Sequence, residues 1–290
     1  MAQLIQMRQR IKAIDTIKKV THAMRLISMS THSHLKNKER SLYAYTQAIK
    51  ELFQQIKSQA PHWTNTIIEP TPLQTKKNLI ILIGSQKGLC GSFNTTLFKL
   101  FELHHTQLQQ ENSFYIPIGK KAVEFMQAKK ENSHETVTIL DSFSEFSSSG
   151  ITLLSTTITD HIMREQYTQV LFVSNIIKTF FIQKPRILSL IPFHPLNNMN
   201  DEKMVASSAI EYSWEQEPHA ILDILIAQYI EACVHEILFQ SLLAEQAARF
   251  ISMDSSTRNA EKLLDTTKLQ YNKLRQTKIT REISELASSF

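Results

Sequence analysis

Leu4, Met7, Ile11, Ile14, Ile17, Val20, Met24 and Ile27 recur at spacings of three and four, the period of one face of a helix. From Ser28 to Arg40 the apolar content falls to Met29 and Leu35, and the stripe then returns at Leu42, Tyr45, Ile49, Leu52, Phe53 and Ile56. The far end of the chain repeats the habit. Leu222, Leu225, Tyr229, Cys233, Ile237 and Leu242 are followed by Phe250, Met253, Thr257, Ala260, Leu264, Thr267, Tyr271 and Leu274. Several of the later positions are small or polar, which suits two helices wound closely together. All five glycines lie between Gly84 and Gly150 and all eight prolines between Pro61 and Pro218, so neither end contains a helix breaker. Proline costs about 3 kcal/mol and glycine about 1 kcal/mol in a helix interior. Both ends are therefore expected to be long unbroken helices, roughly 90 and 105 Å at about 1.5 Å per residue. Packing them antiparallel is the economical arrangement; folding them back as a helical bundle is the alternative.

Between the arms the pattern alternates. Asn78–Gly84 (NLIILIG) is a short continuous apolar run of the kind buried on both faces of a parallel sheet. Thr95–Gln110, Lys120–Lys129 and Leu153–Glu165 read as helices; Phe114–Ile118, Val137–Leu140, Val170–Ile177 and Ile187–Phe193 read as strands. This alternation predicts a small Rossmann-like α/β domain with a mainly parallel sheet. The expected division is a helical arm over 1–60, a linker over 61–77, the α/β domain over 78–196, a linker over 197–218 and a second arm over 219–290. The fold class is α/β plus a long antiparallel coiled coil.

Charge sharpens the picture of the first arm. Residues 1–60 hold eleven Lys and Arg against Asp15, Glu39 and Glu51, which points to an acidic partner or to a solvated helix face. Cys90 and Cys233 lie far apart with no ligand-spaced cluster, so neither a disulfide framework nor a zinc site is expected, and a reducing compartment fits. No run of apolar residues is long enough to span a bilayer, and the start reads as mature structure rather than a cleaved leader.

Little in the sequence assembles chemistry. The turn Gly84–Ser92 follows a strand and precedes a helix, where phosphates bind in other folds. It has neither the P-loop nor the GxGxxG spacing, and a tight turn explains its glycines. Cys90 lies near a helix start but has no histidine close in sequence to activate it. Glu245 and Arg249 read as an i, i+4 helix pair worth a few tenths of a kcal/mol. Three function classes stay open on these residues: a mechanical two-helix element, a phosphate-binding enzyme built on the middle, and a nucleic-acid-binding basic arm.

Three segments together resemble the gamma subunits of F-type ATP synthases: Ile5–Ile27 (IQMRQRIKAIDTIKKVTHAMRLI), Lys87–Leu97 (KGLCGSFNTTL), and Ser241–Met253 (SLLAEQAARFISM) with Thr257–Ala260 and Tyr271–Glu285. Their order and spacing match over essentially the whole chain. Ser92 replaces the family's usual glycine and Lys87 its usual arginine, which marks a divergent member. The resemblance implies a non-catalytic rotor shaft with no cofactor. Its implied partners are the alpha and beta subunits, the epsilon subunit and the c-subunit ring, with no nucleic acid and membrane contact only through the c ring. It places Met24 and Arg25 against the acidic lever of beta, and Arg275, Gln276 and Thr280 against the upper loops of alpha and beta. Glu245, Gln246 and Arg249 fall in the most recognisable stretch of the coiled coil, in packing or in partner contact. The foot facing the c ring falls near Ser28–Arg40 and Trp214–Glu217. A peripheral position on the cytoplasmic face of a bacterial membrane is expected.

Overall fold

The computed structural model describes residues 2–60, 62–65, 67, 77–107, 113–132, 138–165, 167–192 and 217–288. Two helices dominate it. Helix α1 runs over Ala2–Gln59, 58 residues without a break, and α5 over Pro218–Ala287, 70 residues. Helix α5 starts where Glu217 leaves the extended conformation and Pro218, with its fixed φ, opens the first turn. The end of α1 is tied back to that start. Trp63 packs edge-on to Phe53 with ring centroids 5.9 Å apart, and its indole Nε1 donates to Asp223 Oδ1 at 3.1 Å.

Between the helices lie β1 (Asn78–Ile83), α2 (Phe93–Gln107), β2 (Ser113–Ile118), α3 (Lys120–Asn132), β3 (Thr138–Ile139), α4 (Ile151–Arg164), β4 (Gln169–Thr179) and β5 (Ile182–Ile191). The sheet order is β3-β2-β1-β4-β5, parallel throughout except for the antiparallel β4–β5 hairpin. Strand β1 is buried at every position, and its alternation divides the core in two. Leu79, Ile81 and Ile83 face a large cluster shared with α4, the lower half of α5 and Phe53 and Ile56 of α1. Ile80 and Leu82 face the other side, against Leu97 and Phe101 of α2 and Ala122 and Met126 of α3. Each such buried Leu or Ile contributes about 1.5–3 kcal/mol, so the domain and the lower shaft form one apolar unit.

The antiparallel pair at the edge is longer than the apolar pattern suggested. Strand β5 begins at Ile182 rather than near Ile187, and Lys184, Pro185 and Arg186 lie within it. An edge strand tolerates a proline and charged side chains because one side of its backbone needs no ladder partner. The hairpin tip then reaches the shaft: Phe180 sits edge-on to His32 of α1 at 4.9 Å and to Phe250 of α5 at 5.4 Å.

Two glycines let the turns after β1 and β2 touch. Gly119 has φ +85°, and a Cβ there would lie 2.5 Å from the Gly84 carbonyl oxygen. Replacing Gly119 by Ala combines a left-handed backbone with a backbone clash, and such strain costs about 1–3 kcal/mol. We expect Gly119→Ala to lower the unfolding midpoint of the chain in urea accordingly, and an unchanged midpoint would contradict this packing.

Candidate functional site: the shaft seam and its collar

On α1 the residues turned inward follow an unbroken alternation of three and four: Leu4, Met7, Ile11, Ile14, Lys18, Thr21, Arg25, Ser28, His32, Leu35, Glu39, Leu42, Thr46, Ile49, Phe53 and Ile56, all buried or half-buried. This is a heptad seam. Helix α5 answers with Met253, Thr257, Ala260, Leu264 and Thr267, all buried. The layers are direct contacts. Ile14 packs with Ala260 and Leu264, and Lys18 Nζ lies 2.6 Å from Glu261 Oε1. The hydroxyls of Thr21 and Thr257 are 3.0 Å apart, and Arg25 Nη1 lies 2.6 Å from Asp254 Oδ1. From Lys18 to Arg25 on one helix, and from Glu261 to Asp254 on the other, each advances by one heptad.

The seam coincides with the apolar stripe at Leu4, Met7, Ile11 and Ile14 and again at Leu42, Ile49, Phe53 and Ile56, and departs from it between Ile14 and Ile27. Ile17 (54% exposed), Val20 (51%) and Ile27 (65%) lie outside it. Polar residues hold the seam there because each has a partner across it, and the apolar residues of the same spacing fall on the neighbouring face. Met24 is half-buried beside that face. Arg25 is committed to Asp254, whose second oxygen receives Arg258 at 2.7 Å. The hydrogen bond from Arg25 holds the Asp254 carboxyl below its ordinary value, with Arg258 helping and burial opposing.

The collar lies near the upper end of the α/β domain's grip on α5, just below the Phe180–Phe250 contact. Glu245 is 2% and Arg249 6% exposed, so their bond is buried, unlike the surface pair that spacing suggested. Arg249 also donates from Nη2 to the Lys87 carbonyl (2.9 Å), from Nε to that of Gly88 (3.4 Å), and from Nη1 to Gln246 Oε1 (3.2 Å). Glu245 Oε2 accepts from the Gln86 N–H at 3.3 Å. Burial pushes the Glu245 carboxyl up, while Arg249 and the backbone N–H groups of Gln86 and Lys87 draw it down. The pair became buried because α5 is alanine-rich here. Ala244 and Ala248 pack on Cys90 and Phe93, and small side chains let the turn approach. That composition was the available signal.

This geometry removes the chemistry considered for the turn. Its Gln86 amide is taken by an internal carboxylate, which would repel a phosphate. Cys90 is buried, and burial pushes its thiol up, the reverse of an activated nucleophile. Among the described residues no group of His, Cys, Asp and Glu has the arrangement of a metal site. No described helix is long and apolar enough to cross a membrane.

Beyond Thr267 the helix α5 has no further fully buried residue among those described, and Arg275, Gln276 and Thr280 are exposed on it. The Thr280 hydroxyl donates to the Gln276 carbonyl at 3.0 Å. Of the segment expected at the foot, Ser28, His32 and Leu35 are buried in the seam at the level of the hairpin tip, and its exposed residues include the cations Lys36, Lys38 and Arg40. Residues 214–216 lie outside the described residues.

An α/β domain gripping an antiparallel two-helix shaft, with its buried charges spent on holding the parts together, defines a structural subunit rather than a catalyst. The family model described as ATP synthase matches residues 3–290. The ATP synthase gamma chain of Alkaliphilus metalliredigens is 30% identical over 97% of this chain and 95% of its own length. That of Polynucleobacter asymbioticus is 27% identical over 99% and 98%. Among solved structures, a central-stalk chain of the Tetrahymena thermophila mitochondrial ATP synthase superposes with a TM-score of 0.56 at 16% identity, covering 81% of this chain and 98% of its own. A rotor chain of the Euglena gracilis enzyme gives 0.51 at 15%, covering 89% and 99%. At those identities the superpositions speak for the fold. The chain belongs to the ATP synthase gamma-chain family, and it is a non-catalytic member of that machinery.

The charges in and beside the seam set a pH dependence. Asp15, Asp254 and Glu261 have carboxyls lowered first of all by hydrogen bonds from Lys19, Arg25 and Lys18. A carboxyl lowered in the folded state adds stability above its ordinary pKa and loses it as the pH falls through the folded value. We expect the thermal midpoint, followed by far-ultraviolet circular dichroism, to fall as the pH drops from about 5 to 3. High salt should shrink the effect, most for Asp15 and Glu261, whose side chains are the more exposed.

Proposed function

We propose that this chain is the central-stalk rotor of an F-type ATP synthase, carrying torque between an ion-driven c ring and the catalytic hexamer of alpha and beta subunits. The observation that carries this reading is the shaft: two unbroken antiparallel helices locked in register, with α5 running on past the last buried seam residue. A rotor must be stiff along its length and must differ from side to side. A partner changes state only if its contact energy with the shaft differs between states. The outer face of α1 supplies that asymmetry: Ile17, Val20 and Ile27 form an uncovered apolar stripe on a helix rich in Lys and Arg.

In this reading Met24, beside the stripe, meets the acidic lever of beta, and Arg25 supports that contact through the seam. Arg275, Gln276 and Thr280, on the α5 extension, meet the upper loops of alpha and beta. Glu245, Gln246 and Arg249 serve the internal collar. The α/β domain faces the epsilon subunit and the c ring, and Lys36, Lys38 and Arg40 are the candidates on α1 for the foot. The chain is peripheral to the membrane, on the cytoplasmic face of a bacterial cell.

Two measurements test this. The isolated chain should turn over no ATP, and adding it to alpha and beta subunits should produce a complex with ATPase activity; turnover by the chain alone would overturn the assignment. A charged hydrogen bond is worth about 1.5–3 kcal/mol. Arg275→Ala with Gln276→Ala should therefore lower ATP synthesis by the assembled enzyme about tenfold or more, with the chain's own thermal midpoint unmoved.

A further inference from the structure

Apolar burial holds α5 against the α/β domain, and its interdigitated side chains resist movement low on the helix, but the attraction itself has no direction. At the top of the domain the α5 side of the apolar contact is small, with Ala244 and Ala248 facing Cys90 and Phe93. A surface that smooth resists separation better than slip. Directional polar bonds oppose slip. Lower on the helix, Arg186 of β5 gives one bond, from Nη2 to Gln240 Oε1 at 3.2 Å, while its Nε is buried without a partner. The collar offers more. The Arg249 fork engages the carbonyls of Lys87 and Gly88 together, and Glu245 accepts from the Gln86 N–H.

The turn held in this way is itself fastened to the rest of the domain. Gln86 Oε1 accepts from the Phe146 N–H at 2.9 Å, ahead of α4. The Ser85 carbonyl accepts from the Lys121 N–H at 3.1 Å in the first turn of α3, and Asn94 Oδ1 on α2 accepts from the Ser85 N–H at 3.0 Å. Above the collar the buried residues Thr257, Ala260, Leu264 and Thr267 belong to the seam with α1. Between the apolar packing of the lower helix and the Phe180–Phe250 contact at the hairpin tip, the directional polar bonds from the domain to the shaft are densest at the level of Glu245 and Arg249.

We propose that the Glu245–Arg249 pair is the key that locks the shaft to the α/β domain, so that the two turn as one body. This rests on the stalk function proposed above. The two are positioning residues: they act through the turn Gln86–Gly88. Apolar packing supplies stability at this interface, and the key adds directional resistance to slip where the facing side chains on α5 are smallest.

The test uses the complete membrane-bound enzyme with two variants. Glu245→Leu with Arg249→Met fills the space without stranding a buried charge, a replacement that commonly leaves stability unchanged or raised. Arg249→Lys keeps the charge but lacks the fork that spans two carbonyls. The readouts are ATP hydrolysis, ion pumping per ATP hydrolysed, and the thermal midpoint of the isolated chain. We expect the double variant to hydrolyse ATP near the wild-type rate while pumping per ATP falls severalfold, with Arg249→Lys intermediate and neither loss tracking the midpoint. Unchanged pumping per ATP in either folded variant would overturn the proposal, as would a loss that follows the midpoint. If the wild-type chain itself fails to restore coupled pumping to an enzyme lacking its gamma chain, the stalk reading fails instead.

Discussion

Register between the two long helices is the constraint on which the rest of the molecule depends. An apolar seam tolerates a slip of one heptad, because one apolar layer resembles the next. This seam does not, since Lys18 must find Glu261, Thr21 must find Thr257 and Arg25 must find Asp254. A shift by one heptad would re-form one ion pair, Lys18 with Asp254 or Arg25 with Glu261, but would leave the other cation facing Ala247 or Lys268 and Thr21 facing Phe250 or Leu264. Each exposed pair is worth little by itself, but misplacing half-buried polar groups costs more than correct pairing gains. The polar layers thus act on specificity more than on stability, as polar positions in coiled coils do elsewhere.

Fixing the seam with polar pairs has a second consequence. A helix has a limited supply of apolar side chains, and those not needed to hold its partner can be displayed. Ile17, Val20 and Ile27 are displayed in this way on α1. The division runs opposite to that of an ordinary amphipathic helix, where the outward face is polar. It suits a shaft that must be covered by other subunits and must present different surfaces as it turns.

The length of the two helices was legible because the absence of glycine and proline acts locally, residue by residue. The sheet was legible for a similar reason: β1 is buried on both faces, and NLIILI shows it. The seam was legible in period but not in phase. Ile11 and Ile14 lie at the true interface, yet from Ile17 to Ile27 the apolar residues follow a neighbouring face and the contact is made by Lys18, Thr21 and Arg25, before Leu35, Leu42, Ile49, Phe53 and Ile56 take the seam again. No count of apolar residues could find those positions, since each is justified only by its partner more than two hundred residues away. The collar shows the same limit. Glu245 and Arg249 look like any surface pair until the turn at Gln86–Gly88, far away in sequence, closes over them.

These two polar devices divide the mechanical work by height. In the upper shaft the ionic pairs are partly open to water, so they can re-form after bending and give a joint that is specific but yielding. At the collar the pair is dry, and the guanidinium is held by fixed backbone carbonyls, so distortion leaves charges without water to compensate them. The joint is therefore stiff where the domain grips the shaft and softer toward the tip. The breaker-free helices provide the length for such a device, and the polar residues determine where along it the compliance lies.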